Sequence, residues 1–184
     1  MKKTLKTLFA ATLASCLFII NAKAQTTQTA PVSPWHFNAG LDGGITTSGI
    51  FSKTAIGATG RLQYDISRIF ALTLTSGYYD FLSSGNRKAM GMIPIKAGVK
   101  VFVGSGFYFS GEVGAGIETQ NFDAVKNLDD GIPKTTRLIW STGFGYSIKS
   151  WDVSLRYESF SGHNRANYVN SNFGLIGLRL GYTF

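Results

Sequence analysis

From Met92 to Gln120, MIPIKAGVKVFVGSGFYFSGEVGAGIETQ, apolar residues recur at every second position on either side of a glycine-rich turn. Before Gly104-Ser105-Gly106 the odd positions are Ile93, Ile95, Ala97, Val99, Val101 and Val103, with Lys96, Gly98, Lys100 and Phe102 between them. After it, Phe107, Phe109, Gly111, Val113, Ala115 and Ile117 alternate with Tyr108, Ser110, Glu112, Gly114, Gly116 and Glu118. Successive side chains of a strand point to opposite faces, so this period of two predicts a β-hairpin turning at 104–106 and excludes a helix. Each arm runs about 11–12 residues, against ~5–6 for a typical strand. Strands of that length, greasy on one face and small, polar or charged on the other, suit a barrel that crosses an outer membrane.

The same alternation predicts six further strands. The first runs from Trp35 to Thr46 and the second from Ala55 to Ile66. A tight turn at 67–69 leads to a third from Phe70 to Phe81, whose pattern blurs after Ser76, where a bulge is expected. Beyond the central hairpin come Thr136 to Ile148, a two-residue turn at Lys149-Ser150, Trp151 to Phe160, and a closing strand ending GLRLGYTF. Three short turns alternate with longer connections, among them Ser83–Gly91, Asn121–Lys134 and Ser161–Ser171. An even strand count with short turns at one end and long loops at the other is the pattern of bacterial barrels, which puts both barrel termini on the periplasmic side.

The apolar faces, chosen strand by strand, coincide when the turns are closed. Ile66 falls opposite Phe70, Val103 opposite Phe107, and Ile148 opposite Trp151; a slip of one residue would set apolar against polar. Twelve residues at ~3.3 Å span ~40 Å, or ~30 Å at a tilt near 40°, about one bilayer. Trp35, Tyr64, Phe70, Phe107, Tyr146, Trp151, Tyr182 and Phe184 gather near the short-turn ends as an interfacial belt would. The rival is a soluble lipocalin-like barrel, whose inner face would be apolar and outer face charged; here one face holds nearly all the strand charge and the other is aliphatic and aromatic. The expectation is an all-β, eight-stranded antiparallel up-and-down transmembrane β-barrel over residues 35–184.

Composition agrees. Only 15% of residues are charged, against ~25% in soluble domains, while 14% are aromatic and 22 are Gly. Residues 1–24 read as a secretory signal: Lys2, Lys3 and Lys6, an apolar core from Leu8 to Ile20, and an A-x-A site that cuts between Ala24 and Gln25. Leu13-Ala14-Ser15-Cys16 offers a competing lipobox, with Cys16 lipidated; the apolar run continuing through Ile20 favours plain cleavage. Residues 25–34 form a polar, Pro-bearing lead-in. Four of the 18 basic residues lie in the leader, and the 14 that remain against 10 acidic ones form no basic run, so nucleic acid is not an expected partner.

The inner face collects Arg61, Lys96, Lys100, Arg137, Arg156 and Arg179 against Asp42, Asp65, Glu112, Glu118, Asp152 and Glu158. An eight-stranded barrel has room inside only for its own side chains, so these charges must pair or stay hydrated. Glu112 lies opposite Gly98 and diagonal to Lys96 and Lys100, which predicts a Lys-Glu-Lys cluster. Such a set is a structural plug or, in the competing reading, a narrow polar conduit. His163 with Ser161 and Asn164 at the loop end would suit lipid acyl hydrolysis only with a geometry that adjacency does not supply. His36 reads as an inward polar filler. No metal spacing, phosphate loop or paired-acid motif occurs, so no cofactor and no enzyme activity is expected.

The leader, the IPIKAGVKVFVGSGFYFSGEVGAGIE hairpin and the terminal GLRLGYTF resemble the small outer-membrane β-barrel domain family of Bacteroidota and, more distantly, eight-stranded porin-like proteins of the OmpW and OmpX type. The resemblance implies that Leu180, Tyr182 and Phe184 are the signal read by the barrel assembly machinery; it carries over no catalytic residues. A monomer in outer-membrane lipid is expected, with a structural or porin-like role, or adhesion through the outer loops.

Overall fold

Period-two alternation leaves every strand one face to bury, and eight such strands in sequence bury it by closing on themselves. The computed structural model describes residues 34–47, 52–83, 89–119, 136–162 and 172–184. Within them run β1 (Trp35–Thr46), β2 (Ser52–Asp65), β3 (Phe70–Ser83), β4 (Met90–Phe102), β5 (Phe107–Glu118), β6 (Thr136–Ile148), β7 (Trp151–Ser161) and β8 (Phe173–Thr183). Each pairs antiparallel with the next, and β8 returns to β1 through pairs such as Leu41↔Leu180 and Asn38↔Thr183, closing an up-and-down barrel. The leader with Cys16, Ala24 and Gln25, the segment 121–134 and His163 lie outside the described residues.

The predicted register holds at all three short turns. Ile148 pairs with Trp151. The amides of Ile66 and Val103 donate to the carbonyls of Phe70 and Phe107, at 3.0 and 2.8 Å. At the middle turn Gly104 and Gly106 adopt φ of 99° and 103°, which side chains with a Cβ rarely accept. The expected bulge after Ser76 is absent from the described strand. β3 keeps its phase through to Leu82, with Thr73, Thr75, Tyr79 and Phe81 inward and Leu72, Leu74, Tyr78 and Leu82 outward. The blur has two physical sources. Inward residues turn aromatic at this end, and the β3–β4 ladder is interrupted between Ser76↔Ile95 and Tyr79↔Met92, where Pro94 has no amide hydrogen to give. Pairing resumes in the same register.

The outer wall is apolar: Phe37, Leu41, Leu74, Ile95, Phe109, Val113, Phe144 and Leu178 are exposed on it. The inner face holds buried Arg, Lys, Glu and Asp. A face this greasy is stable only in lipid, and closure leaves no open sheet edge there. Belt residues pair up near the short turns: Trp35 with Tyr64 at 4.7 Å between ring centroids, Phe107 with Tyr146 at 4.5 Å and Trp151 with Tyr182 at 5.3 Å. Phe184 extends the belt, 5.2 Å from Tyr182 and 6.0 Å from Phe37.

Candidate functional site: the charged lumen

Strand parity alone points the ionisable residues inward, and the small bore brings distant strands within reach of one another. At mid-lumen the Lys96 ammonium lies 2.6 Å from Glu158 Oε1 and 3.1 Å from Glu112 Oε2. Arg61 Nη2 approaches Glu112 Oε1 at 3.3 Å, and the Thr75 hydroxyl donates to the same oxygen at 2.7 Å. Arg156 reaches Glu158 through Nε at 2.8 Å and pairs through Nη2 with Asp42. Its Nη2 also donates to the Tyr79 hydroxyl at 2.7 Å. Arg179 Nε donates to Thr59 Oγ1 at 2.9 Å, while that hydroxyl donates to Asp42 at 2.6 Å. Asp42, Glu112, Glu158, Arg61, Lys96, Arg156 and Arg179 thus form one connected network.

A second group lies toward the short turns. Asp152 accepts from Lys100, Tyr108 and Ser147, each at 2.8 Å, and the Lys100 ammonium stands 4.0 Å from the centre of the Tyr108 ring. This corrects the expected Lys-Glu-Lys cluster. Glu112 is opposite Gly98 as predicted, and a Cβ at Gly98 would sit 2.7 Å from Glu112 Cγ. Its carboxylate, however, is taken by Lys96, Arg61 and Thr75, and Lys100 reaches across the bore to β7 instead. One further expectation changes. Asp65 leaves the lumen set: half-exposed at the short-turn rim, it pairs with His36 at 3.0 Å and accepts from Gln63 at 2.7 Å. Glu118, 4% exposed, pairs with Arg137, whose guanidinium lies 5.5 Å from the centre of the Phe173 ring.

Sequence reasoning missed the buried apolar layer at the loop end of the lumen. Ala55, Tyr79, Phe81, Met90, Met92, Ile139, Phe160, Phe173 and Leu175 form one buried apolar cluster. Phe160 and Phe173 stack at 4.8 Å, and Phe81 meets both edge-on at 5.6 and 5.3 Å. The signal was present: Tyr79 and Phe81 share the parity of Thr73 and Thr75. Tyr79 links the two layers, its ring in the cluster and its hydroxyl on Arg156 and, at 3.3 Å, Glu158. Leu180, Tyr182 and Phe184 all face outward on the closing strand. Ser161 ends β7; its suggested partner His163 is not described.

No protein-family profile matches the chain, and no curated protein matches it in sequence. Solved structures do match in fold. The N-terminal β-barrel domain of Pseudomonas aeruginosa OprF aligns over 81% of this chain and 97% of its own, with 14% identity and a TM-score of 0.57. Ail, the attachment invasion locus protein of Yersinia pestis, aligns over 82% and 97%, with 14% identity and a TM-score of 0.54. Neisserial surface protein A aligns over 84% and 100%, with 13% identity and a TM-score of 0.53. At these identities the likeness is one of fold: the chain shares the closed eight-stranded barrel of outer-membrane proteins.

Proposed function

We propose that this chain is a non-enzymatic integral protein of a Gram-negative outer membrane, a closed barrel that anchors the segments at its loop end rather than a diffusion pore. The observation that carries the reading is the lumen. Its bore is crossed by ion pairs on side chains no more than 8% exposed, and an apolar layer lies over them. A porin keeps an aqueous channel; an eight-stranded barrel filled in this way does not. The fold shared with outer-membrane barrels and the lipid-suited wall support the location. Assembly as a monomer through the closing Leu180, Tyr182 and Phe184, and membership of the small Bacteroidota barrel family or the OmpW and OmpX type, belong to the same reading; they rest on the 92–120 hairpin and the terminal strand. Adhesion through the longer connections is compatible with it.

Swelling of proteoliposomes in an isotonic pentose tests the proposal. The refolded protein should leave the swelling rate at that of protein-free vesicles; swelling at a rate that grows with protein content would mean an open solute path and would end the closed-anchor reading.

A further inference from the structure

The lumen is closed twice, by two layers with different physics. The polar layer is a poor barrier to water and ions. Among its buried atoms Arg156 Nη1 and Glu158 Oε2 make no hydrogen bond to the described protein. A space of about 10 Å³, about the size of one water, lies where the two layers meet, between Asp42 and Arg156 on the polar side and Ala55, Tyr79 and Leu175 on the apolar side. Fixed charges of both signs can also hand an ion from one partner to the next. The apolar layer carries no charged side chain of its own. Six strands give it side chains, from Ala55 on β2 to Leu175 on β8. The other two give glycines whose space is already filled. A Cβ at Gly44 on β1 would meet Leu175 Cδ1 at 2.9 Å, and one at Gly116 on β5 would meet Met92 Sδ at 2.4 Å and Ile139 Cδ1 at 2.8 Å. Phe81, Met90, Met92, Ile139 and Phe160 are all 0% exposed. The Glu118–Arg137 pair borders the layer, its charges turned on one another and its guanidinium against Phe173.

We propose that the barrier to ion passage is this apolar layer, centred on Phe81, Phe160 and Phe173, and that the ion-pair network beneath it stabilises the barrel without setting its permeability. The inference rests on the closed-lumen reading. An apolar constriction excludes ions because they would have to shed water with nothing to replace it.

The test is single-channel recording in planar bilayers of four proteins whose folding is checked by heat-modifiable gel migration: wild type, Glu112→Gln, the double variant Phe81→Ala/Phe160→Ala, and the near-isosteric Met90→Gln/Met92→Gln. The methionine variant wets the layer without hollowing it, so the test survives if the phenylalanine variant fails to fold. Wild type and Glu112→Gln should stay silent, and each folded layer variant should pass current about tenfold or more above the wild-type baseline, as expected when a dewetted constriction is hydrated. Folded layer variants that stay silent, or current from Glu112→Gln alone, overturn the inference while leaving the closed barrel intact. Steady current through the wild type would instead overturn the closed-lumen reading on which it stands.

Discussion

Replacing Glu112 by Ala removes the carboxylate that holds Arg61 and Lys96 in the mid-lumen network. Its side chain is 3% exposed and engages Lys96 at 3.1 Å, Arg61 at 3.3 Å, Thr75 at 2.7 Å and Ser141 at 3.4 Å. The two cations are not equally dependent on it. Lys96 keeps Glu158 at 2.6 Å, whereas Arg61, with its side chain 4% exposed, is left with only the Thr75 hydroxyl at 3.1 Å among the described residues. Removing one member of a buried ion pair costs about 3–5 kcal/mol, chiefly because the survivor stays buried and uncompensated. Screening by salt is weak inside the wall, so the loss should persist at high ionic strength. Arg61→Met added to Glu112→Ala removes the orphaned charge and should recover at least ~2 kcal/mol of it, since a buried pair replaced by apolar groups is close to neutral. Equilibrium urea unfolding in lipid vesicles, followed by tryptophan emission, measures all three variants. A Glu112→Ala variant within about 0.5 kcal/mol of wild type, the range of ordinary surface changes, would mean that Arg61 does not depend on this carboxylate. So would an Arg61→Met that adds to the loss.

Three further outcomes follow from the geometry. Double-mutant cycles should give coupling of about 1 kcal/mol or more for Lys100 with Asp152 and for Lys96 with Glu112, but within ~0.3–0.5 kcal/mol of zero for Lys100 with Glu112; the reverse order would restore the Lys-Glu-Lys cluster. Gly98→Ala should cost about 1–3 kcal/mol through overpacking, because its Cβ would come within 2.2 Å of the Gly111 carbonyl oxygen and 2.8 Å of Glu112 Cα; Gly43→Ala, with nothing within 4 Å of its Cβ, should change unfolding little. Lys149 holds φ at 52° in the two-residue turn, so Lys149→Asn should stabilise by up to about 1 kcal/mol, Asn accepting the left-handed region more readily; a loss on urea unfolding would argue that the lysine side chain carries the turn.

How far the chain could be read depends on the range of each interaction. Strand number, phase and the three short-turn registers are local properties, so Ile148 and Trp151 reveal their pairing three residues apart. Which residues face the lumen was equally legible, since parity decides it. Who meets whom inside was not. Lys100 and Asp152 are 52 positions apart, and Lys96 and Glu158 are 62. Their contact follows from closure across the bore, which no single hairpin encodes. The diagonal rule that offered Lys100 to Glu112 holds for an open sheet; in a narrow ring a lysine can reach the opposite wall. The loop-end layer was hidden for another reason. An inward face that turns from Thr73 and Thr75 to Tyr79 and Phe81 mimics a lost alternation, because both faces are then apolar. Pro94 then interrupts the β3–β4 ladder at the same height without shifting it.

The apolar outer face meets lipid, and the protein carries its own reporters of that contact. All three tryptophans, Trp35, Trp140 and Trp151, lie on the outer wall at 55, 44 and 53% exposure. Refolding the unmodified chain into vesicles with and without acyl-brominated lipid, and titrating each with aqueous acrylamide, tests it directly. Strong quenching by brominated lipid with little by acrylamide is the predicted result; emission indifferent to bromine and open to acrylamide would mean that this face meets water, and the account would fail.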